Sequence, residues 1–419
     1  FIGYLTWRRE RLTFDVQADF SDRLFAGYLR QDYAFHLQRN SAELIRNTFS
    51  QVGEMRNVVH QGLVVITEGL VLLGTSVLLI AVQPVGALAV VATFGLASWG
   101  FHRLTGARLE RWGEERQVHE SLRIQHLQQG LGGVKDVKLL GREEDFLHQY
   151  HTHNKGSTYI GQLQATLQAI PRLGLELLAV LGLALLVFVM IGQGQSLDAL
   201  LPTLGLFAAA AFRMLPSVNR VLSAIQSVRF SVPVVDTMYS ELRMLELAPS
   251  PQRGPPLRLG NTLTLEGVCF QYPSAEAMAI RDVSLSIERG SSVGFVGGSG
   301  AGKSTLVDII LGLLTPDSGT VAVDGTDIQS NLRGWQDQVG YVPQTIFLTD
   351  DSLRRNIALG LSSETIDEAA VRRALRSAQL VEFVDGLPDG LDTVVGERGI
   401  RLSGGQRQRI GIARALYHD

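Results

Sequence analysis

The residues best suited to chemistry in this chain are a lysine and a serine closing a glycine run, Gly297-Gly298-Ser299-Gly300-Ala301-Gly302-Lys303-Ser304, followed by Thr305. The run fits the spacing G-x-x-x-x-G-K-[ST] of a phosphate-binding loop. Glycines without Cβ atoms let the backbone curl until successive N–H groups point at phosphate oxygens. A following helix adds the partial positive charge of its N-terminus. Lys303 then reaches the terminal phosphates, and the Ser304 hydroxyl is expected to ligate Mg²⁺. Of 38 basic residues only four are lysines, and Lys303 is the only one after Lys155. A compact ammonium suits a crowded phosphate site better than a planar guanidinium.

A second run, Leu402-Ser403-Gly404-Gly405-Gln406, lies about a hundred residues on and precedes the helical stretch Arg407 to Tyr417. Two glycines and a serine at a helix start again make an anion site. One domain has no need of two phosphate sites for one nucleotide.

In this order and at this separation, the two runs resemble those of the ATP-binding cassette family. That resemblance implies that Ser403, Gly404, Gly405 and Gln406 grip the γ-phosphate of ATP held by a partner subunit's loop, Gly297 through Thr305. It also implies that Tyr272, in Phe270-Gln271-Tyr272-Pro273, stacks on adenine, and that Gln344, in Val342-Pro343-Gln344, touches Mg²⁺ and the attacking water. Glu397, in Val395-Gly396-Glu397-Arg398-Gly399, resembles the stretch that meets cytoplasmic loops of the membrane domain. Family members carry, after the signature helix, a strand ending in two acidic residues, the second acting as base, and later a switch histidine. His418 and Asp419 come too early for those places. The chain is therefore expected to grip ATP without the residue that polarises water, both ends are expected to be cut, and the strand before the phosphate loop is expected to lack one neighbour.

The elements that must position these residues begin with Val293–Val296, read as a buried strand, and Lys303–Leu314, read as a helix. Val339–Val342 reads as a strand leading to Gln344. Thr262–Tyr272, Val283–Ile287 and Thr320–Val323 read as further strands. Thr365-Ile366-Asp367-Glu368 reads as a capping box opening a helix through Ala378. One cysteine, Cys269, excludes an internal disulfide.

The first 248 residues have a different composition. Near-continuous apolar stretches at 62–82, 85–101, 173–192 and 197–213 each approach the roughly 20 residues that span a bilayer core. Arg103, Arg108, Arg111, Arg116, Arg123, Lys135, Lys138, Arg142 and Lys155 all fall between the second and third stretches, and the turns at 83–84 and 193–197 carry no basic residue. By the positive-inside rule 103–160 is cytoplasmic. Val85–Gln128 holds no proline; as one helix it would measure ~66 Å at ~1.5 Å per residue and project well beyond the bilayer. Gly130, Gly132 and Gly133 are expected to break it ahead of the short amphipathic piece 134–140. Such projecting loops, at 28–46 and 130–141, resemble those of exporter-type membrane domains, and the Tyr28, Tyr33, Phe35 cluster is expected to dock on protein. Glu68, Arg172, Glu176 and Arg213 lie at or near membrane depth, where charges are costly. Arg172, Glu176 and Arg213 are either a substrate path for an anionic headgroup, or inter-helix and i,i+4 pairs, or arginines snorkelling to a nearby surface.

The expected fold is multi-domain: an all-α transmembrane domain (1–248), a Pro/Gly connector (249–256), and an incomplete α/β P-loop ATPase domain (257–419). The chain resembles an exporter-type half-transporter of the ATP-binding cassette family, closest in appearance to the branch that flips lipid-linked oligosaccharides. That implies ATP and Mg²⁺ as cofactors, a second half-transporter as homo- or heterodimeric partner, a lipid bilayer with a hydrophobic or glycolipid substrate, and a bacterial plasma-membrane location with the nucleotide domain cytoplasmic. Drug, peptide or lipid export and an ATP-gated channel are the alternatives on the same fold. A soluble cassette ATPase on DNA or ribosomes would not carry four apolar spans, so no nucleic-acid partner is expected.

Overall fold

The computed structural model describes residues 2–82, 84–192, 197–246, 254–273 and 275–417. Its contacts divide the chain into two units, Phe1–Gln31 with Phe35–Pro249, and Asp32–Ala34 with Ser250–Asp419. Gln83, residues 193–196, most of the expected connector at 249–256, and His418 and Asp419 lie outside the described residues.

The first unit is helical: α1 (Ile2–Arg30), α2 (Tyr33–Gln38), α3 (Ser41–Arg46), a π-helical turn (Asn47–Gln51), α4 (Val52–Val82), α5 (Pro84–Gly132), α6 (Val134–Leu140), α7 (Glu143–Gly192), α8 (Leu197–Phe230) and α9 (Val232–Glu246). Helices close their own backbone hydrogen bonds, which is what a bilayer demands. The stretches Ser41–Ala81 and Glu143–Ala184 are long and apolar enough to cross one. Many large apolar side chains along them face outward, Leu70, Val77 and Leu177 among them. The buried clusters are small: Leu24, Tyr28, Val52, Val234 and Met238 in one, Phe94, Leu175, Val218 and Leu222 in another. The projecting helix forms, but it does not break at Gly130. A Cβ there would lie 3.4 Å from the Phe146 ring, so the glycine serves close packing of α5 on α7. The break falls at Gly133, and α6 ends on Gly141 in the left-handed region at φ 61°.

The second unit opens on a four-stranded antiparallel sheet, β1 (Thr262–Phe270), β2 (Ile280–Glu288), β3 (Ser318–Val323) and β4 (Thr326–Asp327), in the order β2-β1-β3-β4. Leu263, Leu265, Val268 and Phe270 of β1 form a core with Val321 and Val323 of β3 and with Leu306 and Ile309 of α10 (Lys303–Ile310). After α11 (Leu332–Gln336), a second core gathers α12 (Leu353–Ile357), α13 (Glu368–Ser377), α14 (Val381–Asp385) and α15 (Gly404–Ala415) around Ile357, Val371, Leu380 and Ile410.

Four local expectations are corrected. Residues 293–296 and 339–342 form no strand, because neither segment pairs with another strand; Val293, Val296, Tyr341 and Val342 are exposed. The helix after the phosphate loop stops at Ile310, where Gly312 turns the chain at φ 69°. The cap of α13 is Asp367, not Thr365: its carboxylate accepts from the backbone of Ala369 and Ala370, while the Thr365 hydroxyl donates to Ser362 O.

Candidate nucleotide site and the charges of the helical unit

The glycine run lies between the end of β2 and the start of α10, with Gly300 at φ 80° and Gly302 at φ 81°. A Cβ on Gly302 would sit 2.5 Å from Ala279 O, so both the dihedral and the space require glycine. Gly297, Gly298, Ser299, Gly300 and Ala301 are exposed, as is Ser304 on the first turn of α10. Lys303 turns back over the loop, its Nζ donating to Gly297 O at 2.9 Å and Gly298 O at 2.7 Å. Thr305, buried, shares a 3.1 Å hydrogen bond with the Tyr272 hydroxyl, and Tyr272 meets the edge of Phe270 with ring centroids 5.0 Å apart. The loop, Lys303, Ser304, Thr305 and Tyr272 are thus held together by one end of the sheet and the N-terminus of one helix. Asp308, one turn further along α10, is pushed above the usual carboxyl range by burial; nothing in the loop's spacing pointed to it.

The signature run is held in the second core. Ser403 caps α15: its hydroxyl accepts from Gln406 N at 3.2 Å, and Gln406 Oε1 accepts from Ser403 N at 2.7 Å. This reciprocal capping box satisfies two of the helix's orphan groups and fixes the start of α15. Gly404 and Gly405 stay open, with nothing within 4 Å of a Cβ added at either. Gln344 is exposed and lines a groove with Phe347, Arg398, Gly404 and Arg407. The structure thus brings Gln344 beside the signature run and shows no contact between it and Ser304 among the described residues. Arg414 clamps this region from α15, donating to Asn356 O and to Phe347 O, each at 2.9 Å. Glu397 opens a single 3-10 turn, Glu397–Gly399, in which Arg398 takes a left-handed φ of 53°.

In the helical unit the i,i+4 pair forms: Arg172 Nε lies 2.8 Å from Glu176 Oε1 on an exposed face of α7. Glu68 finds a partner that sequence reasoning missed, Arg220 of α8, at 2.6 Å. Helix α8 carries Arg213, Arg220 and Arg229, and sequence spacing could not choose among them. Arg213 is exposed and forms no salt bridge among the described residues, though its charge is felt by Glu68. Tyr28 belongs to a buried polar hub also missed. Its hydroxyl donates to Glu241 Oε2 at 2.9 Å and accepts from Asn47 at 3.3 Å, and Arg39 reaches Glu241 Oε1 at 3.1 Å. Burial first, then the charge of Glu241, holds the Tyr28 phenol far above its ordinary range.

A helical unit built for a bilayer, followed by a sheet-and-helix unit with a phosphate loop and a separately cored signature run, defines a membrane transporter of the ATP-binding type. Comparisons with known proteins agree. The family described as ABC transporter transmembrane region matches residues 12–208, and that described as ABC transporter matches 280–419. The ATP-dependent lipid A-core flippase of Alkalilimnicola ehrlichii is 30% identical over 430 residues, covering 99% of this chain and 70% of its own length. That of Thiobacillus denitrificans is 28% identical, covering 99% and 71%. A solved bacterial Atm1-family ABC exporter with ATP bound superposes with a TM-score of 0.83 at 23% identity, covering 98% of this chain and 72% of that one. The chain belongs to the ABC transporter family, with its membrane and ATP-binding regions fused in one polypeptide.

Proposed function

We propose that the protein uses ATP to move a lipid with an anionic, glycan-bearing headgroup from one leaflet of a bacterial plasma membrane to the other, as one half of a dimer. The observation that carries this is the presence of two anion-ready helix starts in two separate cores: α10 behind the glycine loop, and α15 behind Ser403. Gly297 through Thr305 would hold the phosphates, Tyr272 would cover the adenine, and Ser304 with Gln344 would hold Mg²⁺. Ser304 fits that ion because its hydroxyl is exposed on the first turn of α10. Mg²⁺ would neutralise charge between the phosphates. Ser403, Gly404, Gly405 and Gln406 would close on a second subunit's nucleotide. Closure of the paired ATP-binding regions, on the cytoplasmic side, would rearrange the long helices and alternate access across the bilayer.

The lipid substrate is supported by relatives named lipid A-core flippases that match almost the whole chain. Arg213 is the headgroup contact we favour, because Arg172 is matched by Glu176. A guanidinium offers a bidentate match to phosphate oxygens. The test is reconstitution in vesicles with a phosphorylated glycolipid accessible to a headgroup-modifying enzyme on one side only. Accessibility that changes on adding ATP, and not with Lys303→Ala, supports lipid flipping. Unchanged accessibility, with ATP-dependent movement of a soluble drug or ion instead, would move the protein to another branch of the fold.

A further inference from the structure

Two aromatic–arginine pairs stand on an exposed face of α1, and one stands on an exposed face of α5. On α1, Arg8 lies over the Tyr4 ring at 6.0 Å and Arg11 over Trp7 at 5.5 Å; on α5, Arg103 lies over Trp99 at 5.7 Å. The rings are half exposed or more, Tyr4 at 58%, Trp7 at 53% and Trp99 at 59%. Arg8 and Arg103 form no ion pair among the described residues, and Arg11 reaches only the exposed Asp15, at 3.6 Å.

The pairs fall at one depth. Helix α5 starts at Pro84, so Trp99 lies ~22 Å and Arg103 ~28 Å along it at ~1.5 Å per residue. Helix α1 runs antiparallel to α4, with Glu10 3.6 Å from His60, Arg56 4.6 Å over the Phe14 ring, and the Ser21 hydroxyl 3.2 Å from Thr48 O. Counted back from Val82, the end of α4, His60 lies at ~33 Å. Tyr4 and Trp7 then fall at ~24–28 Å, with Arg8 and Arg11 at ~30–34 Å. On both helices the rings sit inside a ~30 Å hydrocarbon core and the Cα atoms of the arginines within a few Å of its edge.

We infer that Tyr4 and Trp7 with Arg8 and Arg11 on α1, and Trp99 with Arg103 on α5, form two binding patches for anionic phospholipid headgroups, at the membrane boundary opposite the ends of the two helices at Val82 and Pro84. It rests on the assignment of α4 and α5 as membrane spans. Amphipathic rings settle at headgroup level, and basic side chains there attract anionic lipids. Each ring holds its arginine over the bilayer edge, which leaves the guanidinium's N–H donors free for a phosphate. The Glu68–Arg220 and Arg172–Glu176 pairs carry their own counter-charges and are not part of either patch.

The experiment reconstitutes the protein in phosphatidylcholine vesicles containing equal fractions of either brominated phosphatidylcholine or brominated phosphatidylglycerol, and follows tryptophan emission. Brominated phosphatidylglycerol should quench about threefold more strongly. The difference should vanish in R8Q/R11Q/R103Q, while quenching by brominated phosphatidylcholine persists and is lost in W7F/W99F. Equal quenching by both lipids in the unmodified protein would overturn the inference. So would the absence of quenching in protein that floats with the vesicles, which would mean that a second copy covers these patches. Protein that does not float with vesicles would contradict the span assignment itself, and with it the proposed flipping.

Discussion

The Lys303 ammonium is hydrogen-bonded at 2.7 Å to the carbonyl oxygen of Gly298, five residues back in its own loop. Gly297 O takes a second bond at 2.9 Å. The loop thus stores its strongest cation against its own carbonyl dipoles, and phosphate oxygens must compete for the same donor protons. Charge-assisted bonds contribute about 1.5–3 kcal/mol each. Lys303→Ala should therefore weaken ATP photolabelling at least tenfold while membrane insertion stays normal. Labelling at the unmodified level would remove the loop from the site.

Two glycines of the same loop separate strain from crowding. Gly300 and Gly302 share a φ near +80°, but only Gly302 has a backbone oxygen 2.5 Å from where a Cβ would go. Gly300→Ala should cost only the dihedral penalty, about 1–2 kcal/mol. Gly302→Ala should cost more and displace β2 at Ala279–Ile280. Thermal unfolding of the two variants compares them directly; equal losses would mean that the close approach at Ala279 does not matter.

The sheet has its own acid-sensitive clasp. Asp324 accepts from the backbone N–H of Thr262 and Asn261 at 2.8 Å and of Gly260 at 2.6 Å. These bonds hold its carboxyl below the usual carboxylate range. The folded state therefore binds the proton more weakly than the unfolded chain. The stabilisation is present above the ordinary aspartate value and is lost as pH falls through the depressed one. Asp324→Ala should lower the unfolding temperature at pH 7, with the gap to the unmodified protein narrowing steadily below pH 4. A gap independent of pH would assign the loss to packing.

How much of this was legible varied with how local the cause was. The phosphate loop and the signature run needed only their own spacing, and the long helix from Pro84 needed only a stretch, 85–128, without proline. The strands at 293–296 and 339–342 had the right composition, but a strand exists only with a partner, and none pairs with them here. The capping box placed at Thr365 had the right letters, yet Asp367 takes the role because two backbone donors lie within its reach. Glu68 with Arg220, and Tyr28 with Glu241, join residues 152 and 213 positions apart. No local pattern encodes such pairs.

In the helical unit Arg220, hydrogen-bonded to Glu68, and Arg213, which is not, should behave differently. Glu68→Gln or Arg220→Gln alone leaves one charge without its partner at membrane depth, and each should destabilise the protein by roughly 1–3 kcal/mol. The double variant should recover part of that loss. Arg213→Ala, by contrast, should leave stability and nucleotide binding intact while reducing lipid movement several-fold, and Arg213→Lys should restore it only in part. If nucleotide binding and lipid movement fall together in Arg213→Ala, with poor expression, the arginine is structural.

In the proposed dimer one nucleotide is shared between the loop of one subunit and the signature run of the other. The most direct measurement counts slowly exchanging ATP in dimers that pair a Ser403→Arg subunit with a Lys303→Ala subunit. If the sites are shared, both lesions fall in one site and the other is untouched, so one ATP should be retained per dimer. If each subunit completes its own site, both sites are damaged, and finding no retained ATP would contradict the account.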